Sequence, residues 1–237
     1  MSNYVFLDFD GVLFDSLKEA YVLCKYAYDG TDLFASVVPK DYDLFYRYKF
    51  LVYNSWQYYY LMKLLPQGLS DEELIEAYKK ELENRDIEAE QNFDKRFYSA
   101  RQVLMEKHAY YWDRLETPFP FALLIKQKAE AGDIRPIIVS KKNKQAIIHR
   151  LNQAGVDIPA EDIFGREELL TYESKAQFIN SYMNQNGIER AFFVDDNSNN
   201  LEPCNSYNNI TPLLAGWGNI AIGEKGLTSY EIMEIIS

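Results

Sequence analysis

Three short apolar runs mark this chain, and each breaks off into polar residues at its carboxyl end. Tyr4 to Leu7 leads into "DFDG" at positions 8–11, Ile137 to Val139 leads into Ser140 and two lysines, and Ala191 to Val194 leads into Asp195 and Asp196. Continuous apolar runs of this length read as strands of a parallel sheet covered on both faces. Helical patterns lie between them, including "FALLIKQKAEAG" with a stop at Gly132 and "KQAIIHRLNQAG" with a stop at Gly155, since glycine closes helices in the left-handed conformation. Strands alternating with helices predict a parallel α/β sheet. "TPLLAGW", from Thr211, predicts a further strand at an edge. Ligands in such sheets collect outside the carboxyl ends of the strands, so Asp8, Asp10, Ser140, Asp195 and Asp196 are predicted to meet at one place.

The middle of the chain has a different pattern. From Ser16 to Thr117 no buried-strand signal appears, only helical stretches: Asp41 to Leu65, broken by Pro66, then a segment opened by the capping box of Ser70 and Glu73, then Ala89 to Leu115. The division this predicts is a Rossmann-like catalytic core from 1–15 and 118–237, with 16–117 inserted as an all-helical cap hinged near Ser16 and Thr117. Tyr42, Tyr46, Tyr53, Trp56, Tyr58, Tyr59 and Tyr60 read first as the core of that cap and second as a stacking surface for an aromatic ligand. Arg47 and Lys49 are candidates for reading a second charged group on a substrate.

Composition narrows the function classes. A net charge of -11 and a pI near 4.8 disfavour nucleic acid or an anionic membrane surface as partner. An anionic substrate would therefore need local positive charge or a metal. Cys24 and Cys204 are the only cysteines, without C-x-x-C spacing, so neither a disulfide framework nor a zinc site is expected. There is no basic leader and no apolar run near the roughly 18 residues that span a bilayer, which makes the cytoplasm the expected location. His108 and His149 lack ligand spacing and are given no role.

Two features carry chemistry. Side chains alternate along a strand, so Asp8 and Asp10 are predicted to project to one side, and two like charges held that close need a cation or a proton between them. In "ESKAQFINSYMNQNG", Ser174 and Gln177 form an S-x-x-Q capping box that places Lys175 in the first helical turn. A cation sits at the wrong end of the helix dipole there unless it faces an anion.

Taken in order, "DFDGV", "IIVS", "ESK" and "FVDD", with a helical insertion after the first, resemble the motifs of the haloacid dehalogenase superfamily, in its phosphatase-like branch with a type 1 helical cap. The resemblance implies a magnesium-dependent phosphatase that hydrolyses a small phosphorylated metabolite through an aspartyl-phosphate. A phosphomutase using the same intermediate and a non-catalytic binding protein are the alternatives. It also implies roles: Asp8 as nucleophile, Asp10 as general acid and base, and Gly11, Ser140, Lys141 and Lys175 around the phosphate. Asp8, Asp10, Asp195 and Asp196 would hold the metal, Asp10 through its backbone carbonyl, Asp196 directly and Asp195 through water. Two departures stand out. Asn200 occupies a position where many relatives carry a third acid. Lys141 and Lys142 follow Ser140 where a small residue or asparagine is usual; they read chiefly as a solvated pair, with Lys141 the one counted among the phosphate holders.

Overall fold

The computed structural model describes residues 2–237. It divides the chain into two compact units, one made of the segment up to Asp15 together with Thr117–Ser237, the other Ser16–Glu116. The strands are β1 (Asn3–Leu7), β2 (Phe14–Asp15), β3 (Thr117–Pro118), β4 (Ile134–Val139), β5 (Ile163–Phe164), β6 (Ala191–Asp195) and β7 (Ile210–Leu214). Five of them form one sheet in the order β5-β4-β1-β6-β7, all parallel. This is the α/β architecture expected, with the run from Thr211 at an edge. The two-residue strand β5 was not anticipated, nor was the antiparallel pair β2–β3, because two residues carry no periodicity to read.

Ser16–Glu116 is helical: α1 (Leu17–Asp29), α2 (Pro39–Tyr48), α3 (Tyr58–Leu64), α4 (Asp71–Glu83), α5 (Ile87–Lys107) and α6 (Ala109–Asp113). Two of the expected helices are interrupted. The stretch from Asp41 to Leu65 breaks between α2 and α3 into 3-10 turns, where Gln57 Oε1 accepts from the backbone N–H of Tyr53 and Asn54, both at 2.7 Å. An asparagine with a glutamine three residues on makes a capping box that starts a new helix rather than continuing an old one. The last helical stretch breaks at His108, between α5 and α6. Of the aromatic cluster, Tyr58 and Tyr60 are buried, Tyr42, Tyr53, Trp56 and Tyr59 are half-buried, and Tyr46 is exposed. Tyr58 stacks between Phe45 and Phe97 at 5.5 and 5.9 Å, and Tyr48 is buried as well. Burial also encloses a charged group, for Glu19 accepts from Arg101 Nε and Nη2 at 2.7 and 2.8 Å and from Trp112 Nε1 at 2.9 Å.

The core unit adds α7 (Pro120–Glu130), α8 (Lys144–Gln153), α9 (Arg166–Leu169), α10 (Lys175–Asn186), α11 (Ser198–Leu201) and α12 (Ser229–Ile236). Alternation along β1 sends Val5 and Leu7 into one apolar layer, with Phe121 and Ile125 of α7, Ile147 of α8 and Ile232 of α12. Phe6 points into the other layer, with Phe178, Ile179 and Met183 of α10. Burial on both faces explains why the strands read as unbroken apolar runs. Register then positions the polar ends. Leu7 pairs with Ile138 on one side and Val194 on the other, so the residues that follow all emerge at the carboxyl end of the sheet. Among the described residues no helix is long and apolar enough to cross a membrane.

Removing one member of a buried charged group strands the other in a medium that cannot solvate it, at a cost of about 3–5 kcal/mol. Glu19→Ala is therefore expected to move unfolding of the helical unit to markedly lower urea, as followed by circular dichroism and tryptophan fluorescence. An unchanged midpoint would show that the Glu19 carboxylate is dispensable.

Candidate active site

The carboxyl ends of β1 and β6 bring three carboxylates together. Asp8, Asp195 and Asp196 each offer an oxygen within 4.8 Å of the others, and all three are buried. The Asp8 N–H donates to Val194 O at 2.9 Å, which locks the first residue past β1 against β6. Three such charges repel strongly in a medium of low dielectric.

One cation of the chain sits among them. Lys175 Nζ lies 2.9 Å from Asp8 Oδ1 and 2.8 Å from Asp195 Oδ2, with its side chain almost fully buried. Its position at the amino end of α10 now has its anions. The cap itself is only half of the box expected: Ser174 Oγ accepts from Gln177 N at 3.1 Å, while Gln177 Oε1 turns to the Glu173 N–H at 2.8 Å. Burial alone would lower the ammonium's pKa, but Asp195 and Asp8 outweigh it and hold it above the usual lysine range. Asp8 moves the other way from a usual carboxylate. Burial, with Asp195 and Asp196 beside it, pushes its carboxyl up to about 7 despite the opposing pull of Lys175.

The paired acids do different things. Both Asp195 oxygens are taken, Oδ1 by Asn197 N and Asn200 Nδ2 at 2.9 Å each, and Oδ2 by Lys175. Asp195 thus anchors the lysine. Asp196 Oδ2 instead accepts twice from Asn219, from its backbone N–H and from Nδ2, both at 2.7 Å. Asn219 was not read from the sequence, although the preceding Gly218 was a signal. A Cβ there would lie 2.3 Å from Asp196 Cβ and 2.4 Å from Gly11 O, so only glycine lets this loop reach the site. Gly11 makes room from the other side, at φ 85° with space for no Cβ beside Asp196 Oδ2. Its own N–H donates to Phe14 O at 2.7 Å.

Ser140 follows β4, fully buried, with its N–H on Phe164 O at 3.0 Å. Lys141 beside it is half-buried. The expectation of a solvated lysine pair fails at Lys142, whose side chain is completely buried and whose Nζ lies 3.1 Å from Asp10 Oδ1. Asn200, at the position of the missing third acid, donates to Asp195, and its own Oδ1 is a buried acceptor with no partner among the described residues.

A hard cation fits this donor set. Asp8 Oδ1 accepts from Phe9 N at 2.7 Å and from Lys175, and among the described residues no donor reaches Oδ2. Three carboxyl groups face one ammonium, and the ligands are all oxygen, which suits a divalent ion of the magnesium or calcium type.

No family model matches the chain, and no curated protein matches it in sequence. Solved structures match over its whole length. A predicted phosphatase from Clostridium acetobutylicum aligns with 100% of this chain and 98% of its own at a TM-score of 0.66 and 14% identity. A haloacid dehalogenase-like hydrolase from Streptococcus pneumoniae covers 100% and 99% at 0.61 and 13%, and a predicted phosphoglycolate phosphatase from Haemophilus somnus 100% and 98% at 0.63 and 12%. The fold is that of the haloacid dehalogenase-like hydrolases. Within that haloacid dehalogenase-like fold, the acidic cluster of this chain lies at the carboxyl end of the sheet.

The Asp8 shift has a thermodynamic consequence for the metal-free protein. A carboxyl with a pKa raised from 3.8 to about 7 favours the folded state when protonated. That stability is fully present below about pH 4 and is lost as pH rises through about 7, by an amount of order a few kcal/mol. Asp8→Asn removes the titration. In chelator, the variant is expected to melt above the parent at pH 8 and to lose that advantage at pH 4.5. A difference in melting temperature independent of pH would contradict the assignment.

Proposed function

We propose that the protein is a magnesium-dependent phosphatase acting on a small phosphomonoester through an aspartyl-phosphate on Asp8. The observation that carries this reading is the arrangement of Asp8: one oxygen held by Phe9 N and Lys175, the other without a donor among the described residues, in a buried acidic cluster fit for a divalent cation. The likeness in fold to proteins described as phosphatases supports it.

In the proposed reaction Asp8 attacks phosphorus, the bond from phosphorus to the leaving oxygen breaks, and Asp10 gives that oxygen its proton. Water then attacks phosphorus, Asp10 takes the proton back, and the bond to Asp8 breaks to release inorganic phosphate. Bound among Asp8, Asp196 and the Asp10 carbonyl, Mg2+ would neutralise charge on the phosphoryl group. Lys175 and Ser140 hold phosphoryl oxygens, and Lys141, next to Ser140, adds a positive charge. Asp195 holds Lys175 in place, and Asn219 fixes the face that Asp196 turns to the ion.

The test is a steady-state assay with p-nitrophenyl phosphate and a panel of phosphorylated sugars, nucleotides and hydroxy acids. Hydrolysis is expected with Mg2+ and is expected to vanish with chelator and in Asp8→Asn. Near-normal Mg2+-dependent turnover in Asp8→Asn would sink the proposal. Asn219→Ala is expected to weaken Mg2+ binding about 10- to 100-fold, as loss of a residue orienting a metal ligand does, measured by the Mg2+ concentration that half-saturates the rise in melting temperature.

A further inference from the structure

Lys142 is the charged group that the proposed reaction leaves without a task. Its side chain is 0% exposed, whereas that of its partner Asp10 is 34% exposed. A surface ion pair of two long flexible side chains contributes little, but an ammonium taken wholly out of water costs several kcal/mol unless its position is well used. The placement is tightly built. Nζ lies 3.1 Å from Asp10 Oδ1 and 5.6 Å from the centroid of the Phe9 ring. Lys142 O accepts from Arg166 N at 2.9 Å, and Gly165 packs so closely that a Cβ there would lie 2.9 Å from that same oxygen. The backbone under Lys142 is thus fixed from one side and its ammonium from the other.

We infer that Lys142 is a positioning residue for Asp10, holding one carboxylate oxygen from below so that the exposed edge of the group meets the leaving oxygen of the substrate. This rests on the reading of Asp10 as the acid that protonates the leaving group. A carboxylate at a loop turns freely about its side-chain torsions, and an acid misplaced by about 1 Å loses much of its effect. The loop that carries Ser140 therefore serves both halves of the reaction, with Ser140 at the phosphoryl group and Lys142 behind the proton donor.

The test separates positioning from general support of the fold. Lys142→Met and Lys142→Gln, with folding checked by circular dichroism and by Mg2+-dependent thermal stabilisation, are compared with the parent on p-nitrophenyl phosphate and on an alkyl phosphate. The nitrophenolate leaves without help from an acid, but an alkoxide does not. Since general acid help is worth about 10²–10⁴, kcat/KM for the alkyl ester is expected to fall about 10- to 100-fold, and for the aryl ester less than about 3-fold. In the Asp10→Asn background the same Lys142 substitution is expected to cost nothing further on the alkyl ester. Equal losses on both esters, or equal losses in both backgrounds, would overturn the inference while leaving the phosphatase reading intact. Should the parent hydrolyse neither ester with Mg2+, the phosphatase reading fails and the inference falls with it. If both single variants prove unfolded, Lys142→Arg serves, and an undiminished kcat/KM for the alkyl ester in a folded Lys142→Arg whose guanidinium cannot reach Asp10 in a crystal structure would also overturn it.

Discussion

The site depends on one ammonium group placed between two strands. Lys175 reaches from the start of α10 to Asp8 after β1 and Asp195 at the end of β6, and without it three buried carboxylates would face one another in a medium that screens poorly. The lysine offsets part of that repulsion and leaves the rest. The remainder is visible in Asp8, which burial and its acidic neighbours push up to about 7. A cluster balanced in this way is poised for a second cation, since a divalent ion would complete the neutralisation that Lys175 begins.

The same balance explains why the two adjacent acids are not equivalent. Asp195 gives every oxygen to the chain itself, to Lys175, Asn197 and Asn200, and so belongs to the scaffold. Asp196 is held from one side by Asn219. The contrast comes from local geometry: Asp195 closes a strand and points toward α10, while Asp196 lies in the turn between Gly11 and Gly218, where the two missing side chains leave its space. Glycine is required there because a Cβ at either position would run into the Asp196 side chain.

Much of this was legible in the sequence, for a physical reason. Apolar runs ending in Asp8, Ser140 and Asp195 could be read because buried parallel strands must be apolar throughout and ligands gather where they stop. Lys175 was legible as a cation at the wrong end of a helix. What escaped depends on contacts between distant segments. Lys142 sits in a charge run, and no local pattern tells a solvated lysine from one buried under Asp10, 132 residues away. Asn219 lies in "GWGN", where glycine hints at a close approach without naming what is approached. The two-residue strands β2, β3 and β5 exist only through their partners.

The central claim is that Asp8 alone becomes covalently phosphorylated. It is tested most directly by mixing Asp10→Asn protein with Mg2+ and 32P-labelled p-nitrophenyl phosphate, whose leaving group needs no acid, quenching in acid, reducing the acyl phosphate with borohydride and mapping the peptides by mass spectrometry. Acid-stable label that is lost at alkaline pH, with homoserine found at position 8 after reduction, is the expected result. Label at another residue, or homoserine at position 8 in no sample, would contradict it.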